Sequence, residues 1–202
     1  MASALALLRR VVERAGRAVE YALTGQSDFA VLTSETRDYT HVTDLVKGKR
    51  ILDEARRMLE RDFAIRVQAP LLLELIPEHE ARSARSHDTL GYYKPHALGE
   101  HGTHTVFVQK GLARARFKAI AAHEIVHAYE REANILSSQR ALREGFARWV
   151  EYKVLMAEGQ TAEAKRLQQI RNWRFGRSIR TLLEVEKERG VSGVLAYVRS
   201  IP

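Results

Sequence analysis

Hydrophobic residues recur every three or four positions along most of this chain, and this spacing predicts helices. The first such pattern predicts an N-terminal helix over residues 1–25, which Gly25 ends. After an irregular polar stretch, Thr43 or Asp44 can cap a second helix that runs to about Phe63. Gly48 weakens the first turns of that second helix.

Two stretches carry the features of β-strands. Residues 65–76 hold a β-prone run that Pro70 interrupts and Pro77 closes, which predicts an edge or broken strand because proline cannot donate to a ladder. Residues 103–110 alternate well enough for a strand that Gly111 closes. Between them, residues 77–102 carry several glycines and histidines and are predicted to be a long irregular loop.

The rest of the chain is predicted to be helical. One helix spans residues 112–132, and a second spans residues 139–158, with Ser137 or Ser138 as its cap and Gly159 at its end. Three further helical patterns, over residues 161–173, 177–189 and 192–199, are separated by Gly176 and Gly190. These elements predict an α+β fold, and a length of 202 residues favours a single domain over 1–202.

Composition narrows the chemistry. An apolar share of 45% and a charged share of 29% are ordinary for a folded globular protein. The chain has no cysteine, so disulfides, thiolate zinc sites and cysteine nucleophiles are excluded, and any metal must be held by His, Asp or Glu. No apolar run of about 18 residues predicts a membrane span, and Arg9 and Arg10 follow the first apolar run where a signal peptide would continue it. A cytoplasmic location is therefore the default expectation.

The formal charge of +8 raises the possibility of a nucleic acid or an acidic protein as partner. The arginines, however, are interleaved with glutamates through nearly every helix and form no single basic tract. Such a distribution is typical of solvated helix faces. We therefore treat a role in binding nucleic acid or an acidic partner as the alternative to an enzymatic function.

The strongest chemical signal is the run Ala121-Ala122-His123-Glu124-Ile125-Val126-His127-Ala128. In a helix, His123 and His127 lie one turn apart on one face, where both imidazoles can bind one metal ion. Glu124 then lies beside that metal. A carboxylate at this position can take a proton from a metal-bound water, so Glu124 is predicted to be the general base.

A catalytic zinc also needs a third protein ligand. No histidine follows His127, so a downstream carboxylate is the natural candidate, and Glu144 is preferred. Its neighbour Gly145 lies within a predicted helix, where glycine costs about 1 kcal/mol relative to alanine, and this predicts that another backbone packs closely there. Glu130, Glu132 and Glu151 are the competitors. Glu151 lies two turns beyond Glu144 and could instead orient a ligand imidazole.

Two questions stay open on the remaining polar residues. His96, His101 and His104 have irregular spacing, so loop or strand-edge histidines are favoured over a second metal site. Hydrolysis also needs a donor for the developing oxyanion. The sequence does not choose among the candidates, which are Tyr92, Tyr93, His104, Tyr152, Arg180 and Tyr197.

The runs AAHEIVHAYE and LREGFARWVEY resemble the zinc-binding region of gluzincin-type metallopeptidases. More narrowly, residues 39–198, with GEHGTHTVFVQKG and FGRSIRTLLEVEKERG, are similar to the peptidase domain of the ubiquitin-activated, LIM-carrying growth-regulating peptidases of plants and their small bacterial relatives. This resemblance implies Zn²⁺ as cofactor, His123, His127 and Glu144 as its ligands, and Glu124 as the base.

The chain also departs from those families. The plant proteins carry cysteine-rich zinc modules and ubiquitin-binding segments, and this cysteine-free sequence shows no sign of either. Regulation by ubiquitin therefore does not transfer. In some gluzincins an acidic residue four positions after the ligand glutamate supports a histidine, and here that position is Arg148. The partners of the ligand imidazoles must therefore be supplied from elsewhere.

Together these features predict a zincin-like domain in which a small sheet packs on the HExxH helix beside a helical C-terminal lobe. We expect a zinc metallopeptidase that hydrolyses a peptide or protein substrate, with an extended peptide paired to the strand over residues 103–110. Hydrolysis of a non-peptide amide, or a zinc-containing protein that binds nucleic acid or an acidic partner without catalysis, are the alternatives.

Overall fold

The computed structural model describes residues 41–84, 90–96, 102–135, 139–169 and 173–201. Helix α1 spans Leu45–Phe63, and Asp44 caps it by accepting a hydrogen bond from the backbone N–H of Lys47 at 2.8 Å. Its buried side carries Ile51, Ala55 and Leu59 at the spacing of one helical face. The helix ends at Ala64, whose left-handed backbone turns the chain towards the sheet.

The sheet has three strands, β1 (Leu71–Ile76), β2 (Gly91–His96) and β3 (Thr103–Gln109), in the order β1-β3-β2. Strand β1 runs parallel to β3, and β2 runs antiparallel to it. One face of the sheet belongs to the main core, whereas Ile76, Phe107 and Ala81 form a smaller cluster on the other face. Ala81 belongs to the short helix α2 (Glu78–Ala84), so α2 covers that second face.

Four helices follow, namely α3 (Arg114–Glu132), α4 (Arg140–Ala157), α5 (Thr161–Gln168) and α6 (Trp173–Arg199). Helix α3 packs between the sheet and α4, and α4 in turn packs on α6. Gly190 has φ 69°, which breaks α6 into two segments. Most of the largest fully buried side chains, which include Phe117 of α3 and Phe146 and Trp149 of α4, come from these helices and α1.

The α+β prediction is confirmed, as are the edge position of β1, the strand that Gly111 closes and the break at Gly190. The prediction of an irregular stretch over residues 77–102 is wrong, because α2 and β2 lie within it. Gly176 also does not separate two helices, since α6 runs through it. The predicted helix over residues 1–25 and the caps at Ser137 or Ser138 lie outside the described residues.

A second correction concerns the strand expected to bind a peptide. We expected residues 103–110 to form the strand along the cleft with a side free for pairing, but β3 is the central strand and pairs with β1 on one side and β2 on the other. The backbone groups of β3 are therefore used within the sheet.

None of the helices that the structure describes combines the length and the apolar character needed to span a membrane.

Candidate metal centre

His123 and His127 lie on one face of α3 and enclose the space that a metal would occupy. Their ring centroids are 5.0 Å apart and the ring planes are nearly perpendicular, at 78°. Each residue is about nine-tenths buried, and their neighbours Ile125, Val126 and Ala128 are core residues. The one-turn spacing of the motif therefore produces the expected juxtaposition of the two imidazoles.

Glu144 of α4 brings a carboxylate to the same two rings. Its Oε2 lies 3.8 Å from His123 Nε2, and its Oε1 lies 3.9 Å from His127 Nε2. The ligand atoms of the three residues all lie within 4.8 Å of one another, and among the described residues no other group of His, Asp or Glu meets that condition. Glu144 is the most exposed of the three, with 31% of its side chain accessible, so the site opens towards solvent on the Glu144 side.

These separations fit a metal ion better than direct hydrogen bonds. At 3.8–3.9 Å the carboxylate is too far from the Nε2 atoms for hydrogen bonding. Zinc binds nitrogen and oxygen ligands at about 2.0–2.1 Å, which places neighbouring donors of a tetrahedral site roughly 3.3 Å apart. Two imidazoles and one carboxylate are also a donor set typical of catalytic zinc, so the residues present fit the ion after a small contraction.

Gly145 explains how α4 comes so near to the rest of the C-terminal lobe. A Cβ atom built on Gly145 would lie 2.3 Å from Ser178 Cβ and about as close to the Ser178 backbone as van der Waals contact allows, at 3.2 and 3.3 Å. The predicted close approach of another backbone is therefore confirmed, and the backbone is that of α6. The contact fixes the position of the helix turn that carries Glu144.

Each imidazole is held from behind by a buried carboxylate. His123 Nδ1 lies 3.1 Å from Glu151 Oε2, and His127 Nδ1 lies 2.8 Å from Glu130 Oε2. Because a carboxylate can only accept, each Nδ1 carries the proton and each Nε2 keeps its lone pair for a metal. Glu151 thus has the role suggested from its spacing.

Two arginines balance these carboxylates. Arg116 donates from Nη1 to Glu151 Oε1 at 2.9 Å, and Arg143 donates from Nε to Glu130 Oε2 at 3.2 Å. Buried carboxylates need such partners, because an uncompensated buried charge is strongly destabilising. These two arginines and the role of Glu130 were missed from the sequence, although the i,i+3 spacing from His127 to Glu130 on one helix was a usable signal.

Burial and the surrounding charges shift the pKa values within this centre. Burial lowers the pKa of His123, but its hydrogen bond to Glu151 and the charges of Glu124, Glu151 and Glu144 outweigh burial, so the pKa is raised overall. Burial raises the pKa of Glu151, but His123 and the nearby arginines lower it more strongly, so the pKa is lowered overall. The pair therefore favours an ionised Glu151 that accepts a hydrogen bond from the N–H of His123.

Glu124 lies beside the ligands but does not belong to the ligand group. It is 6% exposed, and burial raises its pKa, against the opposing effect of the two imidazoles. Strand β2 covers it, since a Cβ atom on Gly91 would lie 3.5 Å from Glu124 Cγ. The structure thus brings Glu124 to the junction of the HExxH helix and β2.

His104 belongs to a separate hydrogen-bonded group. Its Nδ1 lies 2.9 Å from the hydroxyl of Tyr93, and its Nε2 lies 3.0 Å from Glu132 Oε1. Glu132 also accepts hydrogen bonds from the backbone N–H groups of Gln68 and Ala69. This His104 cluster, Tyr93–His104–Glu132 with those two amides, uses both nitrogens of the imidazole, so it is a structural site rather than a second metal site.

Several other candidates are now placed. Glu130 and Glu132, weighed as third ligands, bind imidazole nitrogens instead. Of the possible oxyanion donors, Tyr92 stacks on Phe107 on the α2 side of the sheet, at 4.3 Å between centroids, whereas Arg180 donates to the carbonyl of Gln168. His96 ends β2, and His101 lies outside the described residues.

Comparison of the chain with models of protein families, with curated proteins and with solved structures finds no match.

Proposed function

We propose that this protein is a zinc metallopeptidase with His123, His127 and Glu144 as zinc ligands and Glu124 as the general base. The observation that carries the proposal is the convergence of three ligand atoms within 4.8 Å, two from α3 and one from α4. The turn of α3 that supplies the two histidines also holds a buried glutamate next to the first of them. When bound, zinc supplies a Lewis acid that polarises the scissile carbonyl and activates a water for attack.

The residues of the chain divide the remaining work. His123 and His127 present Nε2 because Glu151 and Glu130 hold their Nδ1 protons. Glu124 takes a proton from the attacking water and passes it to the leaving amine, which is the role of a general base that later acts as general acid. Its burial beneath β2 limits competing hydrogen bonds from bulk water.

A peptide substrate would pair with the edge of β2 that faces away from β3. Gln109 N–H donates to the Leu90 carbonyl at 2.8 Å, so these two residues form a hydrogen-bonded pair at the end of the β2–β3 ladder. Alternation along an antiparallel ladder then turns the N–H and C=O groups of Gly91 and Tyr93 away from β3. Among the described strands none lies beyond β2, and Gly91 is the β2 residue next to Glu124. Pairing at this edge would hold the scissile bond beside the base.

The same arrangement supports the proposal of a zincin-like fold of gluzincin type, because the third ligand is a glutamate on the helix that follows the HExxH helix. The narrower kinship with the plant growth-regulating peptidases and their bacterial relatives rests on sequence resemblance alone. We propose the cytoplasm as the site of action, because the sequence predicts neither a membrane span nor a signal peptide.

The test is metal analysis combined with cleavage of a broad peptide library. We expect stoichiometric zinc in the wild type, and loss of zinc in His123→Ala and in Glu144→Ala. Glu124→Gln should keep its zinc and lose about 100- to 10,000-fold in turnover, the usual contribution of a general base. Glu74→Gln, a change to an exposed glutamate on the far edge strand, is the matched control and should behave as the wild type.

Each result bears on a different assignment. Turnover that survives in Glu124→Gln would remove the base, and zinc that survives in Glu144→Ala would move the third ligand. If zinc is bound but no peptide is cleaved, salt-sensitive binding to a polyanion would favour the alternative of a zinc-containing binding protein. Part of the basic charge is already used in ion pairs with glutamates, such as Arg114 with Glu54 and Lys118 with Glu158, which weakens that alternative.

A further inference from the structure

Glu130 is a buried carboxylate that contacts two elements of the metal centre at once. Only 1% of the residue is exposed. Its Oε2 accepts a hydrogen bond from His127 Nδ1 at 2.8 Å and from Arg143 Nε at 3.2 Å. One oxygen atom therefore joins a ligand on α3 to the residue that directly precedes the ligand Glu144 on α4.

The link to Arg143 falls in the first turn of α4, which has no side-chain cap. Helix α4 begins at Arg140, and its N-cap residue Gln139 makes no side-chain hydrogen bond to the first turn. An uncapped first turn leaves backbone N–H groups without intrahelical partners and is prone to fray. Arg143 lies within this turn, so its bond to Glu130 ties the start of α4 to α3 one residue before Glu144.

Burying the Glu130 carboxylate only to join two helices would cost free energy. A buried ionised group loses its hydration, and replacing such a pair by apolar side chains is often neutral or stabilising. The second oxygen, Glu130 Oε1, is also buried and has no protein partner among the described residues. A purely structural contact between α3 and α4 could be made more cheaply by apolar residues.

We propose that Glu130 is a positioning residue that sets two of the three metal ligands, His127 directly and Glu144 through Arg143. The inference rests on the proposed metal centre and extends it. Glu151 of α4 also joins the two helices, because it bonds His123 and Arg116 of α3, but it is linked to one ligand only. Glu130 is linked to two ligands, directly to His127 and through Arg143 to Glu144, so its loss disturbs the metal site at two points.

The test compares Glu130→Gln with Glu132→Gln in the full-length protein, with zinc affinity measured by competition with a chromophoric chelator. Glu132 is two residues away on the same helix and also hydrogen-bonds an imidazole, but that imidazole is His104. Loss of a partner of a metal-binding histidine typically lowers metal affinity about 10- to 100-fold. We expect at least this loss in Glu130→Gln and less than about a twofold change in Glu132→Gln.

A second readout separates positioning from general destabilisation. The absorption spectrum of the Co²⁺-substituted protein reports the ligand geometry, and we expect it to change in Glu130→Gln and to stay as in the wild type in Glu132→Gln. Arg143→Gln, at a residue one-third exposed and outside the core, covers the case in which Glu130→Gln does not fold. It keeps the His127–Glu130 bond and should lose zinc affinity by a smaller factor than Glu130→Gln.

The outcomes distinguish the two proposals. Wild-type zinc affinity in both Glu130→Gln and Arg143→Gln, or an equal loss in Glu132→Gln, would overturn the positioning role. Glu130-dependent zinc binding without cleavage of any peptide would leave that role standing and overturn the peptidase. A wild-type protein that binds no zinc would overturn both.

Discussion

The metal centre and the His104 cluster contain the same chemical parts but connect them differently. In both, a buried imidazole donates to a glutamate of α3 or α4. The second nitrogen of His104, Nδ1, forms a hydrogen bond with the Tyr93 hydroxyl at 2.9 Å. His123 and His127 instead turn Nε2 towards Glu144 at 3.8 and 3.9 Å, too far for a hydrogen bond. Among the described residues, the proposed ligand histidines therefore differ from the structural one in the second nitrogen, which makes no hydrogen bond, and not in burial or in having a carboxylate partner.

The most direct way to break this comparison is to remove one histidine from each region. His127→Ala deletes a ligand, and we expect zinc to be lost entirely, because two remaining donors are too few for a catalytic site. His104→Ala should keep stoichiometric zinc but lose about 1–3 kcal/mol of stability, since Glu132 and Tyr93 each lose a hydrogen-bond partner. Metal analysis and urea denaturation measure the two effects. Loss of zinc in His104→Ala would contradict the comparison, because it would show that zinc binding depends on the His104 cluster.

A middle-sized effect is expected from the contact that holds α4. In Gly145→Ala the new Cβ would meet Ser178 Cβ at 2.3 Å, so α4 or α6 must shift, and overpacking of this kind costs about 1–3 kcal/mol. The shift acts on the turn that carries Glu144, so zinc affinity should fall together with the free energy of unfolding.

The control for this prediction is the double variant Gly145→Ala/Ser178→Gly, in which the clashing Cβ is removed. Partial recovery of both zinc affinity and stability is expected, because the Ser178 backbone remains 3.2–3.3 Å from the new methyl group. Recovery of stability without recovery of zinc affinity would mean that the α4–α6 contact does not set the position of Glu144.

The local part of the metal centre could be read from the sequence because helical geometry fixes it. The spacing of His123 and His127 determines that they share a face, and Gly145 signals a close backbone contact without naming the partner. Glu144 could be selected because the chain has no later histidine. These inferences need only the period of a helix and the number of protein ligands that a catalytic zinc takes.

The parts that could not be predicted depend on pairing across long distances. Strand β2 begins at Gly91, contains Pro95 and is followed by Gly99 and Gly102, so its sequence resembles a loop. Only its place at the sheet edge makes the proline acceptable. The order β1-β3-β2 likewise depends on which strand reaches which neighbour, which local alternation does not encode. The contact of His104 with Tyr93 follows from that order, since they lie on neighbouring strands. The bond of Glu130 to Arg143 depends instead on how α4 packs against α3, which the local sequence does not encode either.

The smallest expected effect is a dependence of stability on alkaline pH that belongs to the His104 cluster alone. Burial is the main cause that raises the pKa of Tyr93 from its ordinary value of 10.0 to about 12. A tyrosine with a raised pKa in the folded state favours folding while it is protonated in both states. Its contribution is therefore complete below about pH 10 and is lost as the pH rises from about 10 to about 12, where the unfolded chain ionises first.

In Tyr93→Phe this fall should disappear, although the variant starts from a lower stability because His104 Nδ1 loses its partner. Urea denaturation from pH 8.5 to pH 11.5 measures the free energy of unfolding of both proteins, and the difference between them should narrow as the pH rises. Tyr197→Phe, a change to a half-buried tyrosine of α6, is the control and should keep the wild-type slope. If the difference between Tyr93→Phe and the wild type stays constant over this range, the Tyr93 hydroxyl titrates alike in the folded and unfolded chains. The cluster would then hold that hydroxyl no more tightly than solvent does.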